Sequence, residues 1–272
     1  MDIAHTVGKT TPRHRILAIL EDAGTWVSGE VISQHLGISR AAVGKHMATL
    51  RSDGHAIEAI TRKGYKLLAK RDVVNEESVT ASLAAHAFGK VGWTFLETTT
   101  STNLQAAHLA EQGAREGHVV VTEKQTKGRG RKGRDWLSVP RSIQFSVLLY
   151  PQASFWDAET FTHLGARAVA DAVKELTKLD AVFKTPNDVL LNGKKIAGIL
   201  VETGYRGNEP EWAVIGIGCN VNMLLGDLPE NVRGEITSIL VESGHPVSRS
   251  TLLAAILGKL EAAYKGMRKN KT

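Results

Sequence analysis

An α+β protein in two parts is what this sequence predicts, and three observations predict it. The hydrophobic period changes near residue 70, from three short helical runs and a hairpin to a longer alternation of helical and β-rich stretches. The later β-rich stretches are separated by turn chemistry, Asn192-Gly193 being the strongest, so they read as mostly antiparallel within one mixed sheet. With 272 residues, 42% of them hydrophobic, the chain has material for one large core and a small satellite domain.

In the first part, residues 12–68, Pro12 starts a helix whose face is Ile16, Leu17 and Leu20 and which ends near Gly24. Ser28 caps a second, with Val31, Ile32 and Leu36 facing inward and Gly37 as the turn. Ser39 caps a third, on which Val43, Met47 and Leu50 recur at helical spacing. That leaves Arg40, Ala41, Gly44, Lys45 and Ala48 on an outer face that is basic and sterically low. Asp53-Gly54 ends this helix, residues 56–60 alternate like a strand, Arg62-Lys63-Gly64 forms a basic turn and residues 65–68 return. This is the pattern of a winged helix-turn-helix, spanning residues 1–69. Residues 70–78, charged and without periodicity, read as a linker.

The second part, residues 79–272, alternates strands at 93–96, 118–123 and 143–150 with helices at 102–112 and 158–179. Strands follow at 182–184, 189–191, 195–202 and 212–220. A last amphipathic helix carries Leu253, Leu257, Leu260 and Tyr264 on one side, before a basic tail.

Bulk properties narrow the function. No apolar run approaches the roughly 20 residues of a bilayer span, and the N-terminus has no export-signal pattern, so a cytoplasmic protein without a membrane partner is expected. The single cysteine, Cys219, fits a reducing compartment. Ten histidines show no metal-ligand spacing. The net charge of +6 becomes an argument for a polyanionic partner beside the basic third helix. There Arg40, Ala41, Gly44 and Lys45 would meet a major groove while Arg62 and Lys63 on the wing touch the backbone.

The richest segment is Gly128-Arg129-Gly130-Arg131-Lys132-Gly133-Arg134, three glycines and four cations in seven residues. Such a loop can bend into a nest of N–H donors around an anion, so a phosphate-bearing ligand is the natural guest. Followed by Trp136, it resembles the adenylate-binding loop of biotin protein ligases. Other blocks agree in order: Ser101-Thr102-Asn103 opening a helix, Gln125 ahead of the loop, Lys184-Thr185-Pro186-Asn187-Asp188, Lys195-Ile196-Ala197-Gly198-Ile199-Leu200-Val201-Glu202, and Gly216-Ile217-Gly218-Cys219-Asn220-Val221-Asn222. The N-terminal part, with Ser39 to Arg51 and the wing, is similar to the DNA-binding domain of bifunctional ligase-repressors.

The resemblance implies a catalytic domain like that of class II aminoacyl-tRNA synthetases. It also implies a reaction of biotin with ATP, accompanied by Mg2+, to give biotinyl-5′-adenylate, then transfer to a lysine of the biotin carboxyl carrier protein of acetyl-CoA carboxylase. It implies biotin-responsive repression at operator DNA by a homodimer formed with the adenylate. By the same resemblance Arg131 and Lys195 are the catalytic cations. Ser101, Thr102, Asn103, Gln125, Gly128, Arg129, Arg131 and Lys195 bind biotin. Arg131, Arg134, Trp136, Asn187, Asp188 and Asn220 bind the adenylate, with Asp188 the candidate magnesium ligand. The residue types leave alternatives: Ser101 and Thr102 as a plain helix cap, Trp136 as a core aromatic, Asn187 and Asp188 as turn residues, and Asn220 at a strand end. Two departures stand out: Thr185 replaces the family's tryptophan, and Arg141-Ser142 replaces a glycine-rich turn. The family's small C-terminal β-barrel is expected to be absent, since nothing after Lys265 can form it. Two other functions remain open, a non-enzymatic biotin-sensing regulator and a lipoate ligase.

Overall fold

The structure is a computed structural model that describes residues 11–70, 72–83, 88–152 and 157–269. Residues 1–10 of the expected first domain, Arg71 of the expected linker and the end of the basic tail lie outside the described residues. The chain divides into two units, Met1–Arg71 and Asp72–Thr272.

In the first unit α1 (Pro12–Ala23), α2 (Gly29–Leu36) and α3 (Arg40–Ser52) start on Thr11, Ser28 and Ser39, whose hydroxyls accept from His14, Val31 and Ala42 N–H. Each such cap satisfies a backbone donor that the helix leaves orphaned. Ile16, Leu20, Ile32, Val43, Met47, Leu50 and Ile57 form the core. Val31, expected inside, is 52% exposed, because the buried stripe of this short helix is only wide enough for Ile32 and Leu36. The wing is β1 (Ala56–Ile60) against antiparallel β2 (Gly64–Ala69), and Val27 adds a one-residue rung on the far side of β2 through two bonds to Tyr65, 2.8 and 2.9 Å. Gly64 permits that rung: a Cβ there would lie 2.2 Å from the Val27 carbonyl oxygen.

The second unit begins inside the segment expected to be a linker. Val74 and Val79 are buried, and Asn75 caps a five-residue helix, α4 (Glu76–Thr80), in a reciprocal box with Ser78. The remaining elements are β3 (Trp93–Thr99), α5 (Thr102–Glu111), β4 (Val119–Gln125), β5 (Ile143–Leu149), α6 (Ala158–Thr177), β6 (Val182–Lys184), β7 (Asp188–Leu191), β8 (Lys194–Arg206), β9 (Glu209–Cys219), α7 (Ile239–Ser243) and α8 (Arg249–Lys269). They build a seven-stranded sheet ordered β3-β4-β5-β9-β8-β7-β6, parallel only between β3 and β4. One face carries α6 and α8, with Leu257 of α8 in the same core as Phe145, Val147, Ile199 and Ile215 of the sheet. The other is partly covered by α5 through Ala106, Ala110, Leu148 and Val214.

Arg249 at the start of α8 locks the beginning of this unit to the sheet. Its guanidinium makes a bidentate pair with Glu123 (2.7 and 2.9 Å), donates to Ser142 O (3.0 Å) and reaches the Asp72 carbonyl, while its backbone N–H meets the Asp72 carboxylate. Where the glycine-rich turn was missing from the sequence, Arg141 adopts φ +61° and donates through Nε to Asn222 O at 3.1 Å.

Candidate active site

The strand registers create an opening on the α5 face. Gln144 pairs with Gly218 and Gly218 with Gly198; one step along, Ser146 pairs with Gly216 and Gly216 with Leu200. Side chains alternate along a strand, so these residues share a face with Val214, which packs under α5. The helix begins only at Thr102, so the glycine row beyond its N-terminus is left as the floor of a cleft of about 110 Å3.

Trp136 lies on that floor. A Cβ at Gly218 would meet its indole at 2.3 Å and one at Gly198 at 3.1 Å, and Lys195 Nζ sits 5.6 Å from the ring centroid. The glycine-rich loop forms one wall as a closed hairpin: Gly130 N–H donates to Arg134 O (2.7 Å) and Trp136 N–H to Gly128 O (2.9 Å). The opposite wall is polar. Gln125 Oε1 accepts from Thr102 N–H (2.8 Å) and its hydroxyl (3.3 Å), while Gln125 Nε2 donates to Gln144 Oε1 (3.0 Å). Ser101 precedes α5 without making a side-chain cap, so a simple capping role does not account for it.

Ser101, Thr102, Asn103, Gln125, Arg129, Arg131, Arg134, Trp136, Asn187 and Lys195 all line this cleft. Asn187 is 7% exposed; Nδ2 donates to Ile199 O (3.0 Å) and its buried Oδ1 has no partner. An unpaired buried acceptor costs about 1–3 kcal/mol, which a ligand N–H or hydroxyl would offset. Gly128 does not line the cleft but closes the hairpin, where a Cβ would lie 2.5 Å from Trp136 O. Asp188 stands behind Lys195, with Oδ1 2.6 Å from Nζ in an electrostatic contact rather than a directed hydrogen bond.

Asn220 is a correction. Its Nδ2 donates to Thr237 O (3.1 Å) and its Oδ1 accepts from Ser142 (3.4 Å), so it fastens the loop after β9 instead of lining the cleft. Sequence reading missed Gln144, Ser146 and Glu202. The signal for the first two was present: Gln144 and Ser146 are polar at alternate positions of an otherwise apolar strand, and both are buried.

Among the described residues no three His, Cys, Asp or Glu side chains gather as a metal site. Among the described residues Asp188 is the one carboxylate ion-paired with Lys195, a donor set that suits Mg2+ only when phosphate oxygens and water complete it. Cys219 is fully buried, which pushes its thiol up to about 12. No helix among the described residues is long and apolar enough to cross a membrane.

In the first unit Arg40, Ala41 and Lys45 are exposed on α3 and Gly44 is half-buried with open space where a Cβ would be. Arg62 holds the wing tip at φ +69°, and Lys63 Nζ lies 5.9 Å over Trp26. A groove of about 610 Å3 runs between the starts of α2 and α3 and the wing, with Arg40 and Arg62 on its sides. Arg40 is 3.6 Å from Glu30, an exposed pair that screening makes easy to exchange for a phosphate.

Residues 95–220 match the model of the biotin/lipoate A/B protein ligase family, and residues 12–66 that of an HTH domain. The chain is 35% identical over 259 residues to the bifunctional ligase/repressor BirA of Bacillus spizizenii, covering 94% of this chain and 79% of that one. It is 33% identical over 257 residues to the protein of that name from Escherichia coli, covering 92% and 75%. Among solved structures, the biotin protein ligase from Aquifex aeolicus in complex with biotin and ATP superposes with a TM-score of 0.58 at 30% identity, over 65% of this chain and 72% of that one.

Proposed function

Since the chain belongs to the biotin protein ligase family, in its branch of bifunctional ligase/repressors, we infer that it joins biotin to a carrier protein at the expense of ATP and also represses transcription in response to biotin. Biotin and ATP are its substrates. The carrier is the biotin carboxyl carrier protein of acetyl-CoA carboxylase. Residues 1–71 bind operator DNA and residues 72–272 carry the ligase. Repression acts through a homodimer formed with the adenylate, in the cytoplasm.

The observation that carries the ligase reading is the glycine-floored cleft, with a polar network at one end and cations at the other. The ureido ring of biotin needs buried donors and acceptors, which the Ser101, Thr102 and Gln125 end supplies in this reading. The first step drives the biotin carboxylate onto the α-phosphate of ATP, releasing pyrophosphate. Two unit anions at 4 Å repel by about 4 kcal/mol at an effective dielectric near 20, so fixed cations are required. Arg131 and Lys195 serve there, Lys195 oriented by Asp188; Arg134 adds charge at the nucleotide side. Trp136 offers its ring to adenine, and Asn187 Oδ1 takes a ribose hydroxyl. Mg2+ arrives with ATP, and Asp188 is the residue that would hold it. In the second step an uncharged carrier lysine attacks the acyl carbon and AMP leaves; no covalent enzyme intermediate is required. Positioning and charge neutralisation then account for the acceleration.

Biotin-dependent pyrophosphate release, followed by mass spectrometry of a carrier domain, tests this. Arg131→Ala and Lys195→Ala should each lower adenylate formation by roughly 100-fold or more, as loss of a transition-state donor does. Unchanged turnover in both variants would sink the assignment. Lipoate in place of biotin should give no product, because its dithiolane ring cannot satisfy the polar wall.

A further inference from the structure

Glu202 touches two residues that line the cleft, Arg129 and Asn103, and has no part in the reaction as described. It lies on β8 opposite Val214, on the same sheet face as Gly198 and Leu200. Its carboxylate is divided between two partners: Oε1 is 2.9 Å from Arg129 Nη2, and Oε2 accepts from Asn103 Nδ2 at 2.8 Å. Asn103 is itself immobilised. It donates to Leu200 O (3.2 Å), accepts from Ser146 (2.6 Å) and fills the space over Gly216, where a Cβ would come within 2.0 Å of its Oδ1.

Of the four cations in the loop, Arg129 alone has an ion-pair partner among the described residues. Arg131 and Arg134 line the cleft without one. The loop is a hairpin closed by its own backbone bonds, so it moves as one piece, and a single anchor is enough to set its position. The pair is half-exposed, 46% for Arg129 and 25% for Glu202, so it contributes little to folding. Its effect is to set where the closed hairpin sits against the sheet rather than to fold it.

We propose that Glu202 is a positioning residue, which holds the cationic hairpin over the cleft through Arg129 while Asn103 backs it from the sheet. Arg129 is thereby neutralised and serves as the fastening, leaving Arg131, Arg134 and Lys195 to meet the anionic reactants. This rests on the ligase reading above.

Glu202→Gln isolates the fastening, because the amide oxygen can still accept from Asn103 Nδ2 while the position facing Arg129 becomes an NH2 donor and loses both charge and acceptor. Arg129→Gln breaks it from the other side. Two readouts apply to the 272-residue chain: trypsin nicking after Arg131 or Lys132 without ligand, normalised to cleavage elsewhere, and KM against kcat for biotinyl-adenylate formation. Each single variant should be nicked in the loop about fivefold faster and raise KM for biotin by roughly three- to tenfold; Glu202→Gln should keep kcat within about twofold. The double variant should be no worse than either single, since both cut one interaction. Glu202→Asp, one methylene shorter, should fall between. Wild-type nicking and KM in Glu202→Gln, or single effects that multiply in the double, would overturn the proposal. If the wild-type chain formed no adenylate, the ligase reading would fall, and the nicking comparison would still decide the fastening.

Discussion

Substituting Gly218 tests the glycine floor directly. A Cβ at Gly218 would sit 2.3 Å from Trp136 Cε2 and 2.4 Å from Cζ2, whereas carbon atoms pack no closer than about 3.5 Å. The indole must therefore lift by more than about 1 Å, because β9 is paired on both sides and cannot yield. Overpacking typically costs about 1–3 kcal/mol, and Trp136, half-buried on the cleft floor, can swing outward and keep the cost near the lower end. For a unit of this size that corresponds to a fall in Tm of about 2–4 °C. The functional effect should be larger, since the displaced ring also loses its place beside Lys195. Gly218→Ala is expected to raise KM for ATP by about tenfold in biotin-dependent pyrophosphate release, the equivalent of about 1.4 kcal/mol of stacking and orientation. Gly226→Ala is the control, as nothing lies within 4 Å of its Cβ position. A Gly218→Ala enzyme with wild-type KM for both substrates would refute the assignment of Trp136 to the nucleotide.

Three further outcomes are expected. Burial holds the His118 imidazole below its ordinary 6.5, beside Thr94 Oγ1 at 2.9 Å. The folded state thus resists protonation, and this contribution is complete above pH 6.5 and lost as the pH falls through and below it; denaturant titrations at several pH values should show the slope flattened in His118→Gln. Arg249→Met should cost about 3 kcal/mol, the low end for a broken buried pair because Glu123 and Asp72 keep some contact with water, and lower Tm by roughly 6–12 °C in calorimetry. Arg40→Ala should weaken operator binding across sequences and reduce the salt dependence by about one counterion, which fluorescence anisotropy at several salt concentrations reads out; an unchanged salt slope would remove Arg40 from the DNA-facing surface.

Much of this architecture was readable because its signals are local. Ser28 and Ser39 announce their helices within three residues, Gly24 and Gly37 end theirs at positive φ, and Asn192-Gly193 turns between β7 and β8. The five-residue helices α4 and α7 escaped because so short a segment shows no period, and α4 also lay in a charged stretch that reads as linker. At the site, residue types and motif order pointed to the polar and cationic walls. What they left out was register. Glu202 reaches Asn103 across 99 positions, and Gln144 meets Gln125 only because β4 and β5 pair as they do. Asn220 shows the converse, a polar residue in a strong motif whose hydrogen bonds are consumed by a loop 17 positions onward.

The Arg249 clasp sets an order of events during synthesis. Asp72 and Arg249 are 177 residues apart, so the start of the second unit stays unfastened until Arg249 has left the ribosome. The three-helix unit, whose pairings are all short in sequence, can finish folding long before that on an unsecured tether. A nascent chain stalled before the last helix would carry a completed reader of DNA on a body whose first residues have not been tied down.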